Sequence, residues 1–336
     1  MSTNTYTLYG SEMSPYSHKV RSYMRYKRIA HRWVPSGPGS TDPDYKKHAR
    51  VPIVPTLVSP DGVGQQDSTP ILETLDQQFP EPGIHPPGAL LGFVSTLLEE
   101  FGDEWGNKLM FSQRWYRELD MAASCSRAAI LMLKTTVKAD LDARAALVRG
   151  RMSGRGHFVG SSDATAPLIE RYYVELLDLL QPHFGARKYL FGARPSFADF
   201  ALYAQLFHAA SDPTGGAGIR ARGPAVLDWC LRMVEPREDG PFEDWSSLAP
   251  TMTPLLAYVG RYFLPWSQAN ADALARGADT FSVELAGEAY TQPPQKYHAK
   301  SLAALKQKYQ AFADNEALGA LMLETGCAKI LTGEHK

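Results

Sequence analysis

The sequence predicts a small α/β domain over residues 1–82, then a larger all-α domain over 83–336 with a C-terminal extension that contains a β-hairpin. Three observations predict it. Tyr6-Thr7-Leu8-Tyr9 alternates with period two, while Tyr16, Val20, Tyr23 and Met24 recur at i, i+4, i+7 and i+8, so a strand feeds a helix. Phe79 to Pro87 holds four prolines in nine residues, which continue neither element and mark a linker. From Leu90 onward Leu97, Phe101, Trp105 and Leu109 keep helical spacing, and Glu104 precedes Lys108 by four. The 336 residues exceed the usual domain size of ~100–150, in keeping with two domains.

Taken in order, His31 to Val34 reads as a second strand and Pro35 to Pro43 as a loop. Val54 to Val58 is a third strand, Ser59-Pro60-Asp61-Gly62 a turn, and a short fourth strand ends near Gln66. Asp67 or Ser68 caps a helix with Pro70 in its first turn and an apolar stripe of Ile71, Leu72, Leu75 and Phe79. In the helical domain, Ser196-Phe197-Ala198-Asp199 has the form of a capping box. Phe242 to Trp266 reads as helix with proline breaks, Thr280 to Tyr290 as a hairpin turning at Ala286-Gly287, and Lys300 to Phe312 as an amphipathic helix. A hairpin and one helix are marginal alone, so Val283, Leu285, Leu302, Leu305 and Tyr309 should be buried on the helical domain. Thr214 to Gly218 lacks the Gly-Lys-Ser/Thr ending of a phosphate loop and reads as a plain loop; His18 and Lys19 read as a solvated helix face. Trp105, Arg114, Trp115 and Tyr116 read first as helical core, with the lining of an electrophile pocket as the alternative.

Composition narrows the function. With 35 basic and 36 acidic residues and a net charge of −1, no like-charge block forms a nucleic-acid arm or a polybasic membrane patch. Cys125, Cys230 and Cys327 are odd in number and far apart, and neither C-x-x-C nor H-E-x-x-H occurs, so neither a disulfide framework nor a metal site is indicated. Met1 to Thr5 lacks a cationic leader start and no apolar run reaches membrane length, so a reducing, cytoplasmic setting is expected.

Chemistry concentrates in Leu8 to Val20. Ser14 and Ser17 flank Pro15 at a helix N-terminus, where free backbone N–H groups and the helix dipole favour an anion. Ser14-Pro15-Tyr16-Ser17 before Lys19-Val20, then Val54-Pro55-Thr56-Leu57, then Asp67-Ser68-Thr69-Pro70-Ile71-Leu72, then the Ser196/Asp199 box, resemble the glutathione transferases in type and order. The resemblance implies a thioredoxin-like first domain in which an irregular segment replaces the helix after the second strand. It implies that Ser14 activates the thiol of glutathione, with Ser17 and Tyr9 as rival activators. It further implies a cis Val54–Pro55 bond, the Val54 backbone pairing with the cysteinyl part, and Asp67 and Ser68 holding the γ-glutamyl end. His48 and Arg50 are the nearest basic candidates for the glycyl carboxylate. The co-substrate would be glutathione with no metal, the second substrate a small, partly apolar electrophile, and the assembly a homodimer. Length beyond the usual family size, with Asp103-Glu104-Trp105, Arg114-Trp115 and Thr325-Gly326-Cys327, looks like a group of long bacterial homologues.

Energetics allow the step. Lowering a thiol from ~8.5 by about two units needs ~2.7 kcal/mol. A hydroxyl hydrogen bond to a charge supplies ~1.5–3 kcal/mol and a helix N-terminus ~0.3–1. The plain alternatives are that Ser14, Asp67 and Ser68 only cap helices and that Val54–Pro55 is an ordinary trans edge-strand proline. At the level of function, the alternative is a non-catalytic homologue that binds glutathione or serves as an interaction protein. A thiol–disulfide reductase is disfavoured because Ser14 stands where such chemistry needs cysteine.

Overall fold

The computed structural model describes residues 5–333; residues 1–4, on which the reading of the N-terminus partly rests, lie outside the described residues. The first part runs β1 (Tyr6–Gly10), α1 (Pro15–Tyr26), β2 (His31–Pro35), α2 (Pro43–His48), β3 (Thr56–Val58), β4 (Gly64–Gln66) and α3 (Ser68–Gln78). The sheet order is β2-β1-β3-β4, with β1 and β2 parallel and the other pairs antiparallel. Leu8 sits opposite Trp33 on one side and Leu57 on the other. Leu8 and Leu57 share a core with Val20, Tyr23 and Met24 of α1 and Ile71, Leu72 and Leu75 of α3. Each large apolar side chain so buried contributes roughly 1.5–3 kcal/mol.

The irregular segment expected between β2 and β3 is corrected by α2. Asp42 accepts from the N–H groups of Asp44 and Tyr45, and Pro43 is pre-set for the first turn, so an Asp-Pro start inside a Pro/Gly-rich loop nucleates a six-residue helix. Tyr45 then fixes the helix by packing on Tyr9, ring centroids 5.6 Å apart.

The helical part continues with α4 (Ala89–Phe101), a π-helical turn (Gly102–Gly106), α5 (Asn107–Trp115), α6 (Glu118–Leu133), α7 (Lys138–Met152), a 3₁₀ turn (Arg155–Val159), α8 (Ala166–Ala186) and α9 (Phe197–Ala210). There follow α10 (Pro213–Arg222), α11 (Pro224–Arg232), α12 (Trp245–Tyr258), a second π-helical turn (Val259–Phe263) and α13 (Leu264–Ala275). Helix α9 is central and buried along nearly its whole length, and the Ser196/Asp199 capping box opens it as the sequence predicts. A Cβ on Gly102 would lie 2.7 Å from the Leu202 backbone nitrogen, so α4 and α9 approach this closely only over a glycine. Tyr23 meets Phe200 edge-on, 5.5 Å between centroids, and ties α1 to α9. The plain loop expected at Thr214 to Gly218 is instead part of α10. Its Asp212-Pro213 start, with the Thr214 N–H held by Asp120 Oδ1 at 2.7 Å, outweighs a cost of about 1 kcal/mol per glycine.

The extension forms the hairpin β5 (Phe281–Leu285) and β6 (Glu288–Gln292), then α14 (Lys296–Gln310), α15 (Glu316–Glu324) and α16 (Ala328–Leu331). Ala286 and Gly287 both have positive φ (51 and 83), the requirement of a two-residue turn matched to strand twist. Leu285, Leu302, Leu305 and Tyr309 are buried and Val283 is half-buried. The three cysteines are free thiols, all buried. Among the described residues no helix is long and apolar enough to cross a membrane.

Candidate active site

Sheet register brings the three motifs of the first domain to one end of the sheet. Tyr9 pairs with Thr56, and Thr56 with Gln66. The loop leaving β1, the residues entering β3 and the residues leaving β4 therefore lie side by side, carrying Ser14, Val54–Pro55 and Asp67–Ser68. Val54–Pro55 is cis, Val54 is half-buried and Pro55 is buried.

Ser14 is the N-cap of α1: its extended backbone (φ −100, ψ 115) turns the hydroxyl back to accept the Ser17 N–H at 3.2 Å. Capping uses a lone pair and leaves the proton, and no acceptor among the described residues takes it. A half-buried hydroxyl with a free proton at a helix N-terminus is a hydrogen-bond donor for an incoming anion. Ser17 is fully buried and its Oγ accepts the Ser11 N–H at 3.3 Å, so its hydroxyl shapes the loop. Tyr9 is buried with Tyr45 and Val58; burial first, then Asp42 and Asp44, raise its phenol above the ordinary value, against easy ionisation.

Across the site, Ser68 is buried in the first turn of α3. Asp67 holds the N-cap position with φ 78, left-handed backbone that is uncommon outside glycine, yet its carboxylate makes no capping bond. Asp67 Oδ2 instead accepts from Tyr297 Oη of the extension at 3.1 Å. His48 ends α2 half-exposed and Arg50 lies beyond it, exposed.

Sequence reasoning missed what holds these loops. The reading of His18 and Lys19 as solvated is corrected: His18 is buried beside Glu12, and Lys19 is fully enclosed. Lys19 Nζ reaches Glu99 Oε1 and Asp103 Oδ2, each at 2.6 Å, and Thr69 Oγ1 at 2.8 Å, joining α1, α3 and α4 under the site. Burial pushes the Lys19 pKa down, but Asp103 and Glu99 outweigh it and the net shift is upward. Burial pushes the Asp103 carboxyl up to about 7 against the pull of Lys19. Burial, with Glu99 and Asp67 adding to it, pushes Glu104 up to about 8. His298 touches Glu104, and burial first, then Lys108, hold its imidazole down to about 3. One sequence signal for a buried cation existed: Glu99, Glu100, Asp103 and Glu104 interrupt an apolar helical stripe.

Arg114 is the other unforeseen support. Buried, it pairs with Asp212 Oδ2 at 2.8 Å and donates Nη1 to the Met13 carbonyl at 2.8 Å, fixing the residue before Ser14 from the helical domain. Its role is thus more than helical core packing.

With this geometry established, comparison with known families is direct. Residues 8–83 match the glutathione S-transferase N-terminal domain and residues 163–232 the glutathione S-transferase C-terminal domain. Two segments of the chain thus carry glutathione S-transferase domains, and the first has the thioredoxin-like fold. Among solved structures it is similar to a glutathione S-transferase of Methylobacterium radiotolerans in complex with glutathione sulfonate, 21% identical over 74% of this chain and 94% of that one, TM-score 0.41. It is also similar to a glutathione S-transferase of Rhodospirillum rubrum (18% identity, 88% and 99% covered, TM-score 0.42). A rice glutathione transferase in complex with glutathione is 19% identical, with 75% and 91% covered and a TM-score of 0.42. No curated protein matches the chain.

Proposed function

We propose that the chain is a glutathione transferase that conjugates the glutathione thiolate to a small, partly apolar electrophile, with Ser14 as the activating hydroxyl. The observation that carries this reading is the register Tyr9–Thr56–Gln66, which gathers Ser14, Val54–Pro55 and Asp67–Ser68 at one sheet end. The Ser14 O–H donates to the thiolate sulfur, and the helix dipole adds to its preference for the charged form. The Val54 backbone pairs with the cysteinyl part, Ser68 and the N-terminus of α3 take the γ-glutamyl carboxylate, and Asp67 faces the ammonium. His48 and Arg50 remain the residues for the glycyl carboxylate. The thiolate then forms a C–S bond at the electrophilic carbon. A leaving group departs with its electron pair, or the new carbanion takes a proton from water. No resident cofactor or metal enters this scheme, and neither nucleic acid nor membrane is a partner.

The test is Ser14→Ala. Thiolate absorbance of bound glutathione should fall and the pH–rate profile should move to higher pH, with kcat reduced about 10- to 100-fold, while glutathione affinity changes little. Unchanged thiolate formation in Ser14→Ala, Ser17→Ala and Tyr9→Phe alike would refute hydroxyl activation. We propose a cytoplasmic homodimer with it. Helix α7 buries none of its residues, and α6 and α7 expose Leu119, Ile130, Met132 and Leu147, apolar surface a second copy would cover. A monomer mass by light scattering at micromolar concentration would exclude the dimer.

A further inference from the structure

One side chain of the extension reaches the candidate γ-glutamyl subsite. Asp67 keeps a strained backbone and spends no oxygen on capping α3, so its carboxylate is available, and its hydrogen-bond partner is Tyr297 Oη at 3.1 Å. Tyr297 is 53% exposed, but the backbone that carries it is fixed on both sides. Before it, the Gln295 N–H donates to Asn270 Oδ1 at 2.7 Å and Asn270 Nδ2 donates to the Gln295 carbonyl at 2.9 Å, with Asn270 fully buried. After it, His298 lies against the Trp266 ring, 4.8 Å between centroids, and bonds to Glu104. The strap is thus clamped to the helical domain, and Tyr297 leans from it onto the first domain.

We propose that Tyr297 is a positioning residue supplied by the extension, which holds the Asp67 carboxylate through Oδ2 and leaves Oδ1 for the ammonium of an α-amino acid end. A carboxylate has about four lone-pair sites, so a phenol on one oxygen does not fill it, and a neutral donor does not cancel its charge. The phenol and the ammonium therefore share Asp67. Ser68 and the open N–H groups of α3 donate to the neighbouring carboxylate, so the subsite recognises a zwitterionic amino-acid head. This rests on the glutathione reading and adds the extension to it.

The test uses the full chain and two probes: glutathione, and the analogue in which hydrogen replaces the γ-glutamyl amino group. Tyr297→Phe should weaken glutathione by about tenfold in Kd, the scale of a hydrogen bond to a charged group, with the melting temperature of the free protein kept. Affinity for the analogue should stay within about twofold. In an Asp67→Asn background, where asparagine tolerates the positive φ, Tyr297→Phe should have no further effect on glutathione. Equal loss for both probes, no loss for either, or tighter glutathione binding by Tyr297→Phe each overturns the inference while leaving the glutathione reading standing. A wild-type protein that binds no glutathione at about ten millimolar overturns the reading, and the inference with it.

Discussion

Two lysines, both fully enclosed, stand at two junctions of this molecule and are accommodated in opposite ways. Lys19, where the first domain meets α4, is surrounded by Glu99, Asp103 and Thr69. Lys108, where α5 meets the hairpin, has no carboxylate within ion-pair distance among the described residues. Its Nζ lies within hydrogen-bond distance of the Val159 carbonyl, of Tyr290 Oη at 3.0 Å and of Gln292 Oε1 at 2.8 Å, and 4.3 Å from the Trp266 ring centroid. Lys19 is raised by its carboxylates, while burial holds Lys108 well below the ordinary lysine value against the weaker pull of Glu104. One interface is fastened by charge, the other by neutral acceptors and aromatic faces. The first is therefore the more sensitive to losing one partner, because a carboxylate left behind has nowhere to send its charge.

The largest expected effect follows from that. Lys19→Met should cost about 3–5 kcal/mol in urea unfolding, since it strands Glu99 and Asp103 together. Adding Glu99→Gln and Asp103→Asn to the same chain should recover part of the loss. A single-mutant loss below about 1 kcal/mol would show that charge does not fasten this junction.

Lys108→Met should cost less, about 1 kcal/mol. The acceptors it abandons keep other donors: Gln292 Oε1 keeps Trp266 Nε1 at 3.0 Å, and the Val159 carbonyl keeps Tyr290 Oη at 3.1 Å. The pH dependence sharpens the contrast. Lys19, raised in the folded state, gives stability that is present below its unfolded value and lost as pH rises through the folded one. Lys108, lowered, gives stability that grows as pH rises towards the unfolded value of ~10.4. Melting curves from pH 8 to 10.5 should show the wild type gaining on Lys108→Met; a flat difference would mean Lys108 stays charged.

The third contrast concerns Glu104, which sits between the two junctions. Its folded value of about 8 lies above its unfolded one. Its contribution is therefore present in full below the unfolded value of ~4.3 and lost as pH rises through the folded one. Glu104→Gln should accordingly gain on wild type in melting temperature as pH rises from 5 to 9. Parallel curves would place the proton elsewhere.

What the sequence revealed depended on sequence distance. Ser14 with Pro15, the Val54–Pro55 pair, Asp67–Ser68 and the Ser196/Asp199 box are local signals, each decided within a few residues, and they were legible. The supports were not, because their partners are remote: 80 and 84 residues for Lys19 with Glu99 and Asp103, 101 for Arg114 with Met13, 230 for Tyr297 with Asp67. A lysine in a helix carries no mark that its acids lie on another helix. Helices α2 and α10 were missed for a different reason, since Pro and Gly content outweighed Asp-Pro starts in the reading while caps and packing outweighed that content in the fold.

The buried cysteines have a consequence for a protein proposed to manage reactive carbon centres. Burial raises all three thiols, Cys327 up to about 11, with Cys125 and Cys230 shifted the same way. None is held as a thiolate near neutral pH, and all three are buried. A compound that alkylates thiolates therefore finds no ionised cysteine in the native chain near neutral pH. Its cysteines would stay unmarked through many encounters with a compound that labels exposed cysteine at first contact.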